Sequence, residues 1–368
     1  MPGKKVVRWA LLAVLLLCLF LLFQSTTMDG RSSPVCQKTK KTGTLSLSLS
    51  ATRGPSGLGN QLFEILALLG IADLTNRAPL LHLDSTRLFD RLLAIRTTFP
   101  GLISRLQYTM DSPQMPTIKL HEKGCCRFSS LDALMGRNET ALLGTGRYFQ
   151  SHLYFSHLRT EILKWMQPSK NVTAEAEKVL RKRDVSGNVL CVHARRGDFI
   201  REKFPQASDA NFTRFATEWI LKKYGQADKI GTVLLFSNDP AWLNSTFSAV
   251  FHGANRISNG YKTSSLRYIF PDTKSNFATL VLAHLYCNRV LTTAPPSTFA
   301  WFMGFLAANG TGKVHFSETY AKPGGGLEKQ LIPSEFFLPD WIPLRMHDTS
   351  NFEEIRIDEI RPFIPPKT

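Results

Sequence analysis

His193-Ala194-Arg195-Arg196-Gly197-Asp198 is the strongest chemical signal in the chain. A guanidinium presents a planar fork of donors, so two adjacent arginines can grip phosphate oxygens in pairs. The alternative is structural: both could pair with Asp198 and neighbouring acids. Ser297-Thr298-Phe299 offers a second anion site. A helix beginning there would supply unpaired N–H groups, the positive end of its dipole and two hydroxyls. The alternative there is a plain N-cap without a ligand. Gly57, Gly59 and Asn60 are a third element, in which the glycines would let a ligand approach closely. His193 reads more readily as a strand-end histidine bonded to backbone than as a catalyst.

These residues need strand ends and helix starts to hold them. Leu45, Leu47 and Leu49 alternate with Ser46, Ser48 and Ser50, the period of a strand. A turn over Gly54–Asn60, a helix over Leu62–Asn76 and a strand over Ala78–Leu83 complete a βαβ unit. The pattern returns with a strand at Val189–His193, a helix at Phe212–Tyr224 and a strand at Thr232–Phe236. Next come a helix at Asn276–Cys287, a strand at Val290–Thr293, a helix capped by Ser297 and running to Ala308, and a strand at Val314–Phe316. The expected fold class is therefore α/β, with two Rossmann-like halves and a ligand cleft between them. The division expected is 45–170 and 171–330, followed by a tail, 331–368, that packs back on the fold.

The net charge of +16 suits an anionic partner, but lysines and arginines are spread along the chain without a dense basic block, which argues against nucleic acid. Lys4, Lys5 and Arg8 precede an unbroken apolar run, Trp9–Phe23. Its fifteen residues are short for a bilayer span, but Arg8 can snorkel and let Val6 and Val7 contribute. The competing reading is a cleaved signal peptide, although no Ala-x-Ala-like site follows. An uncleaved anchor gives a cytosolic tail (1–8), a transmembrane helix (9–23) and a stem (24–44), with the remainder lumenal. Five sequons, at Asn138, Asn171, Asn211, Asn244 and Asn309, agree with a lumenal side, although Asn211 could equally cap a helix. Cys191 and Cys287 lie in apolar surroundings and read as buried thiols. A bridge from Cys36 to Cys125 or Cys126 is possible, but the count of five outside the anchor leaves pairing open.

Several stretches together resemble the α-1,2-fucosyltransferases, glycosyltransferase family 11. Gly57-Leu58-Gly59-Asn60-Gln61-Leu62-Phe63-Glu64 is similar to the family's N-terminal signature, and Val192–Phe199 to its His-x-Arg-Arg-x-Asp motif. Phe236-Ser237-Asn238-Asp239 with Trp242, and Ser297–Phe302, resemble two further blocks. The chain departs from the family at Leu280, seven positions before Cys287, where an acidic residue is usual, and at Pro295-Pro296. These departures leave acceptor and linkage open.

The resemblance implies a GT-B-like, Golgi-resident, single-pass type II enzyme that moves fucose from GDP-fucose to a galactose-terminated glycan with inversion. It further implies that Arg195, Arg196 and Asp198 are catalytic, Arg196 being the main phosphate clamp. Donor and acceptor contacts would come from His193, Gly59, Asn60, Gln61, Ser237, Asn238, Ser297, Thr298 and Phe299. No Asp-x-Asp occurs, so the arginines and the helix start at Ser297 would neutralise the leaving diphosphate, with no metal cofactor. Asp198, Glu64 and Glu202 are the candidate bases, each of which could equally be structural. Protein O-fucosylation and a catalytically silent glycan-binding relative are the alternatives.

Overall fold

The computed structural model describes residues 41–111, 114–120, 125–181, 183–202, 205–252, 266–273 and 275–360. The expected anchor, most of the stem, Cys18 and Cys36 lie outside them. Among the described residues no helix is long and apolar enough to cross a membrane.

The Leu/Ser alternation forms β1 (Thr44–Leu47), which lies between β2 (Ala78–His82) and β5 (Ala141–Thr145). With β3 (Gln107–Thr109) and β4 (Thr117–Lys119) they make a parallel sheet in the order β3-β2-β1-β5-β4. A short helix α1 (Ser50–Arg53) follows β1, and then α2 (Leu58–Leu74). The second of these is apolar nearly all round and buried along its length, as a helix enclosed by other elements must be. A further helix, α3 (Thr86–Thr98), is capped by Ser85, whose hydroxyl accepts from the Leu88 N–H.

The second sheet contains β6 (Asn188–Ala194), β7 (Ile230–Ser237), β8 (Arg267–Ile269), β9 (Cys287–Thr292), β10 (Lys313–Ser317), β11 (Ile342–Met346) and β12 (Phe352–Glu354). Its order is β12-β11-β10-β9-β6-β7-β8, parallel except for the antiparallel β11/β12 pair. Counted from β6, its first six strands stand in the 3-2-1-4-5-6 order of a dinucleotide-binding sheet. The strand order reverses between β6 and β9, and ligands enter such sheets at the C-terminal ends of the strands there. The helices around it are α4 (Lys170–Leu180), α5 (Gly197–Arg201), α6 (Ala210–Tyr224), α7 (Pro240–His252), α8 (Asn276–Tyr286), α9 (Thr298–Gly310) and, later in the chain, α10 (Pro333–Phe336).

Three local expectations change. Cys191 and Cys287 are disulfide-bonded, tying β6 to β9, and are not free thiols. Cys125 bonds to its neighbour Cys126, leaving neither for Cys36. Asp209, not Asn211, caps α6, accepting from the Phe212 N–H at 2.8 Å. The expected boundary at 330 also moves, because β11 and β12 extend the second sheet to Glu354.

The two sheets share one aromatic core, and the described residues form one compact unit. Phe63 of α2 lies 4.7 Å from Trp301 and 5.1 Å from Phe302 of α9, ring to ring. Trp301 donates its indole N–H to the Phe336 carbonyl at 2.8 Å, bringing the C-terminal segment onto the same cluster. All five sequon asparagines are exposed.

Candidate active site at the strand reversal

Strand β6 ends on His193 and Ala194, and the chain then turns sharply into α5. Ser208 fixes this turn. Its hydroxyl accepts from the Arg195 N–H at 2.9 Å and meets Thr293 Oγ1, from the end of β9, at 2.7 Å. Asn238, just beyond β7, closes the turn from the other side. Its Oδ1 accepts from the Arg196 N–H at 2.9 Å, and its Nδ2 donates to Asp198 Oδ1 at 3.2 Å. A Cβ on Gly197 would lie 2.6 Å from that Nδ2, so only glycine lets Asn238 reach both partners.

The two arginines take different places. Arg195 lines a cavity of about 220 Å³ at the ends of β6 and β7, together with His193, Ser237, Asn238 and Phe299. Its Nε and Nη2 donate to the two Asp198 oxygens at 2.8 and 2.7 Å. Burial alone would raise the Asp198 carboxyl, but the hydrogen bonds and charge of Arg195 outweigh it and hold the group below the usual carboxylate value. Arg196, expected to be the main clamp, is turned away. Its Nη1 donates to the Ser208 carbonyl at 2.9 Å, and its guanidinium lies 4.4 Å from the Trp242 ring centroid.

His193 is buried, and its Nδ1 has no hydrogen-bond partner among the described residues. Burial, reinforced by the Arg195 charge, pushes its pKa down to about 3. The ring is therefore neutral at physiological pH: it can donate or accept a hydrogen bond but does not arrive carrying a proton to give. Phe299 lies beside it, 5.6 Å ring to ring.

Ser297 caps α9 as expected, its hydroxyl accepting from the Ala300 N–H at 3.3 Å. The Thr298 and Phe299 N–H groups, in the first turn, have no partner within the helix. Thr298 Oγ1 donates to Asn60 Oδ1 at 2.7 Å, which joins the two halves. Gly59 faces the same helix start. A Cβ there would stand 2.4 Å from the Thr298 carbonyl carbon, so this glycine serves helix packing and not the close approach of a ligand. Gln61 is buried with its Nε2 on the Ser56 carbonyl, which makes it a loop brace.

Two candidate bases fall away. Glu64 is fully buried and accepts from the N–H groups of Ala51 and Thr52, both at 2.8 Å, where it holds the start of α1. Glu202 is exposed at the end of α5 and does not line the cavity. The carboxylate that does line it is Asp272, just beyond β8, with Asn276 and Thr279 of α8 nearby. Of these three the sequence singled out only Asn276, since Asn276-Phe277-Ala278 resembles the family block that carries the acidic residue, displaced by about one helical turn. For Asp272 and Thr279 the local signals are the short β8 and the Ser275 cap that opens α8, and they say nothing about which strand lies beside β7. Leu280, at the family's acidic position, is fully buried. Asp272 also borders a second cavity, of about 490 Å³, between α3, α4 and the start of α8. Among the described residues no group of three or more His, Cys, Asp or Glu could hold a metal ion.

The sequence profile of Glycosyl transferase family 11 matches residues 139–345. The chain is 30% identical over 322 residues to a galactoside 2-alpha-L-fucosyltransferase of Caenorhabditis elegans, covering 84% of this chain and 80% of that protein. It is 26% identical over 363 residues to the putative galactoside 2-alpha-L-fucosyltransferase svh-11 of the same organism, covering 96% of this chain and 94% of that one. A solved structure of POFUT1 in complex with GDP-fucose aligns at a TM-score of 0.46 and 12% identity, covering 76% of this chain and 99% of that chain.

Proposed function

The chain belongs to glycosyl transferase family 11, and on that premise we propose that it transfers L-fucose from GDP-fucose to a galactose-terminated glycan, forming an α-1,2 linkage with inversion. The observation that carries the reading is the cavity at the strand reversal, where Arg195, the buried unpartnered His193 Nδ1 and the start of α9 converge. As the bond to fucose breaks, positive charge grows on the sugar and negative charge on the leaving diphosphate. Asp198 occupies Nε and Nη2 of Arg195, so a phosphate oxygen meets the remaining nitrogen, Nη1, and the free N–H groups of α9. Arg196 then positions the loop and Asn238.

A cavity of about 220 Å³ is small against the ~300–1,000 Å³ usual for ligand pockets, so it takes only part of the donor. The nucleobase end suits it. Guanine presents adjacent N–H donors on one edge, and Asp272 is the one carboxylate among the described lining residues able to accept them. The two Rossmann-like sheets would make a GT-B-like enzyme. Its residues 9–23 would anchor it in the Golgi membrane as a type II protein, and the exposed sequon asparagines are compatible with a lumenal ectodomain.

The test is the ectodomain assayed with GDP-fucose against a panel of glycans, with linkage analysis of the product. Transfer to the 2-hydroxyl of galactose is expected and should survive EDTA, while GDP should inhibit far better than ADP, a preference that Asp272→Asn narrows. Transfer only to a polypeptide hydroxyl, or activity restored only by added Mn²⁺, would overturn the acceptor and the metal-free chemistry respectively. The full-length chain should stay with membranes through alkaline carbonate washing; release into the wash would refute the anchor.

A further inference from the structure

Asn60 was singled out by its motif, but the structure shows a second residue that governs it. Gln150 is 6% exposed and lies just after β5. Its Nε2 donates to Asn60 Oδ1 at 2.8 Å, the atom that also accepts from Thr298 Oγ1. Both lone pairs of that oxygen are thus used. With the Asn60 amide turned over, the Thr298 hydroxyl could accept from it, but its NH2 would face the NH2 of Gln150, so Gln150 is the partner that sets the orientation. The amide nitrogen Nδ2, which has no partner among the described residues, is thereby the end left for a ligand. Asn60 follows Gly59, which packs on the Thr298 and Phe299 backbone, and bonds Thr298 itself, so its amide lies beside the start of α9, the helix whose Phe299 lines the cavity.

Gln150 is itself held at three points. Its N–H donates to the Cys125 carbonyl at 3.2 Å. Its Oε1 lies 3.2 Å from Cys126 Sγ. That sulfur belongs to the Cys125–Cys126 bridge and carries no hydrogen, so the second point is a sulfur–oxygen contact and not a hydrogen bond. The third is the Asn60 bond. The two residues before Gln150, Tyr148 and Phe149, both take the left-handed conformation, with φ of 67° and 49°. Two successive non-glycine residues in that region are costly, and such strain gathers where a side chain must be aimed.

We propose that Gln150, braced by the Cys125–Cys126 loop, is a positioning residue that fixes the Asn60 amide so that its nitrogen donates to the fucosyl diphosphate beside the start of α9. This rests on the fucosyl-transfer reading above.

The test is a double-mutant cycle in the otherwise intact protein. Gln150→Leu removes the donor at similar size, and Gln150→Glu keeps the shape but replaces the donor with an acceptor. Each should lower kcat with GDP-fucose roughly tenfold or more. In an Asn60→Ala background neither should lower it further, since the nitrogen they position is gone. Tm couples as well, because the two side chains are hydrogen-bonded, so kcat and not Tm reads the relay. Equal loss of kcat in both backgrounds, or wild-type turnover in Gln150→Glu, would overturn the proposal. Should Gln150→Leu fail to fold, Gln150→Glu carries the test alone. A wild-type chain without any transfer would count against fucosyl transfer itself. The relay would then be read from GDP affinity by calorimetry, where the same coupling is required and its absence overturns the relay.

Discussion

Arg195 and Arg196 follow β6 in a turn that Ser208 and Asn238 hold from either side, and of the two only one lines the cavity. That one is Arg195. Arg195→Lys keeps the charge but loses the fork that holds Asp198 and the diphosphate together. It should cost roughly 3–4 kcal/mol in the transition state, about 10²–10³ in kcat. Arg196→Lys should instead lose the Ser208 and Trp242 contacts, lowering Tm more than kcat. Steady-state kinetics and thermal unfolding of the two variants separate these outcomes, and a larger kcat loss in Arg196→Lys would restore it as the clamp. The sequence offered both arginines without showing which lines the cavity. It also offered Glu64 as a base, because its four hydrogen-bonding contacts come from residues more than ten positions away that fold back over it. Asp272 was hidden for a related reason: its place in the cavity depends on β8 pairing with β7, a long-range fact.

Elements built from local signals were legible. The β6 strand, the Ser297 cap and the apolar run of α8 all lie within a residue or two of their expected positions, because periodicity and capping act over a few residues. The glycine pair before α2 was legible in type and not in purpose. An alanine at Gly59 would ordinarily gain up to about 1 kcal/mol of helix propensity. Here its Cβ would strike the Thr298 backbone, which cannot swing aside as a side chain can. Gly59→Ala is therefore expected to destabilise by roughly 1–3 kcal/mol and to raise the KM for GDP-fucose by displacing the start of α9. Gly57→Ala, with nothing within 4 Å and φ of −70°, should be nearly silent in both. Urea unfolding and donor kinetics of the pair measure this, and a stable, fully active Gly59→Ala would contradict the packing role.

At the scale of the whole molecule, the far edge of the second sheet is closed by charge. Glu354 of β12 accepts from His315 at 3.1 Å, pairs with Lys223 at 2.8 Å and accepts from the Tyr224 hydroxyl. The His315 bond, with help from Lys223 and Tyr224, outweighs burial and holds the Glu354 carboxyl down at about 2. Burial holds His315 below its ordinary value as well. In the folded state both groups resist protonation, so both contribute stability that is full above their unfolded pKa values. His315 begins to lose its share as pH falls below about 6.5, and Glu354 loses its share between about 4.5 and 2. Stability measured by urea unfolding should fall on acidification in these two windows. Glu354→Gln should be less stable at pH 7 by roughly 1–3 kcal/mol and should flatten the lower window; an unchanged acid slope would refute the assignment. The sequence showed no sign of this closure, since it read the region after 330 as a tail. That tail also bonds to the connections that follow β4 and β5, where Glu335 accepts from the Phe128 N–H across 207 residues, and Ser151 donates to the Glu335 carbonyl. A chain made from its N-terminus forward must therefore wait. Until Phe336 and Glu354 have left the ribosome, Trp301 has no carbonyl to bond and His315 no carboxylate, and β10 stands as an unpaired edge of the second sheet. Loss of the stretch from Phe336 to Glu354 would leave most of the elements in place and deprive Trp301 and His315 of their partners, so this late stretch turns a set of formed elements into a closed fold.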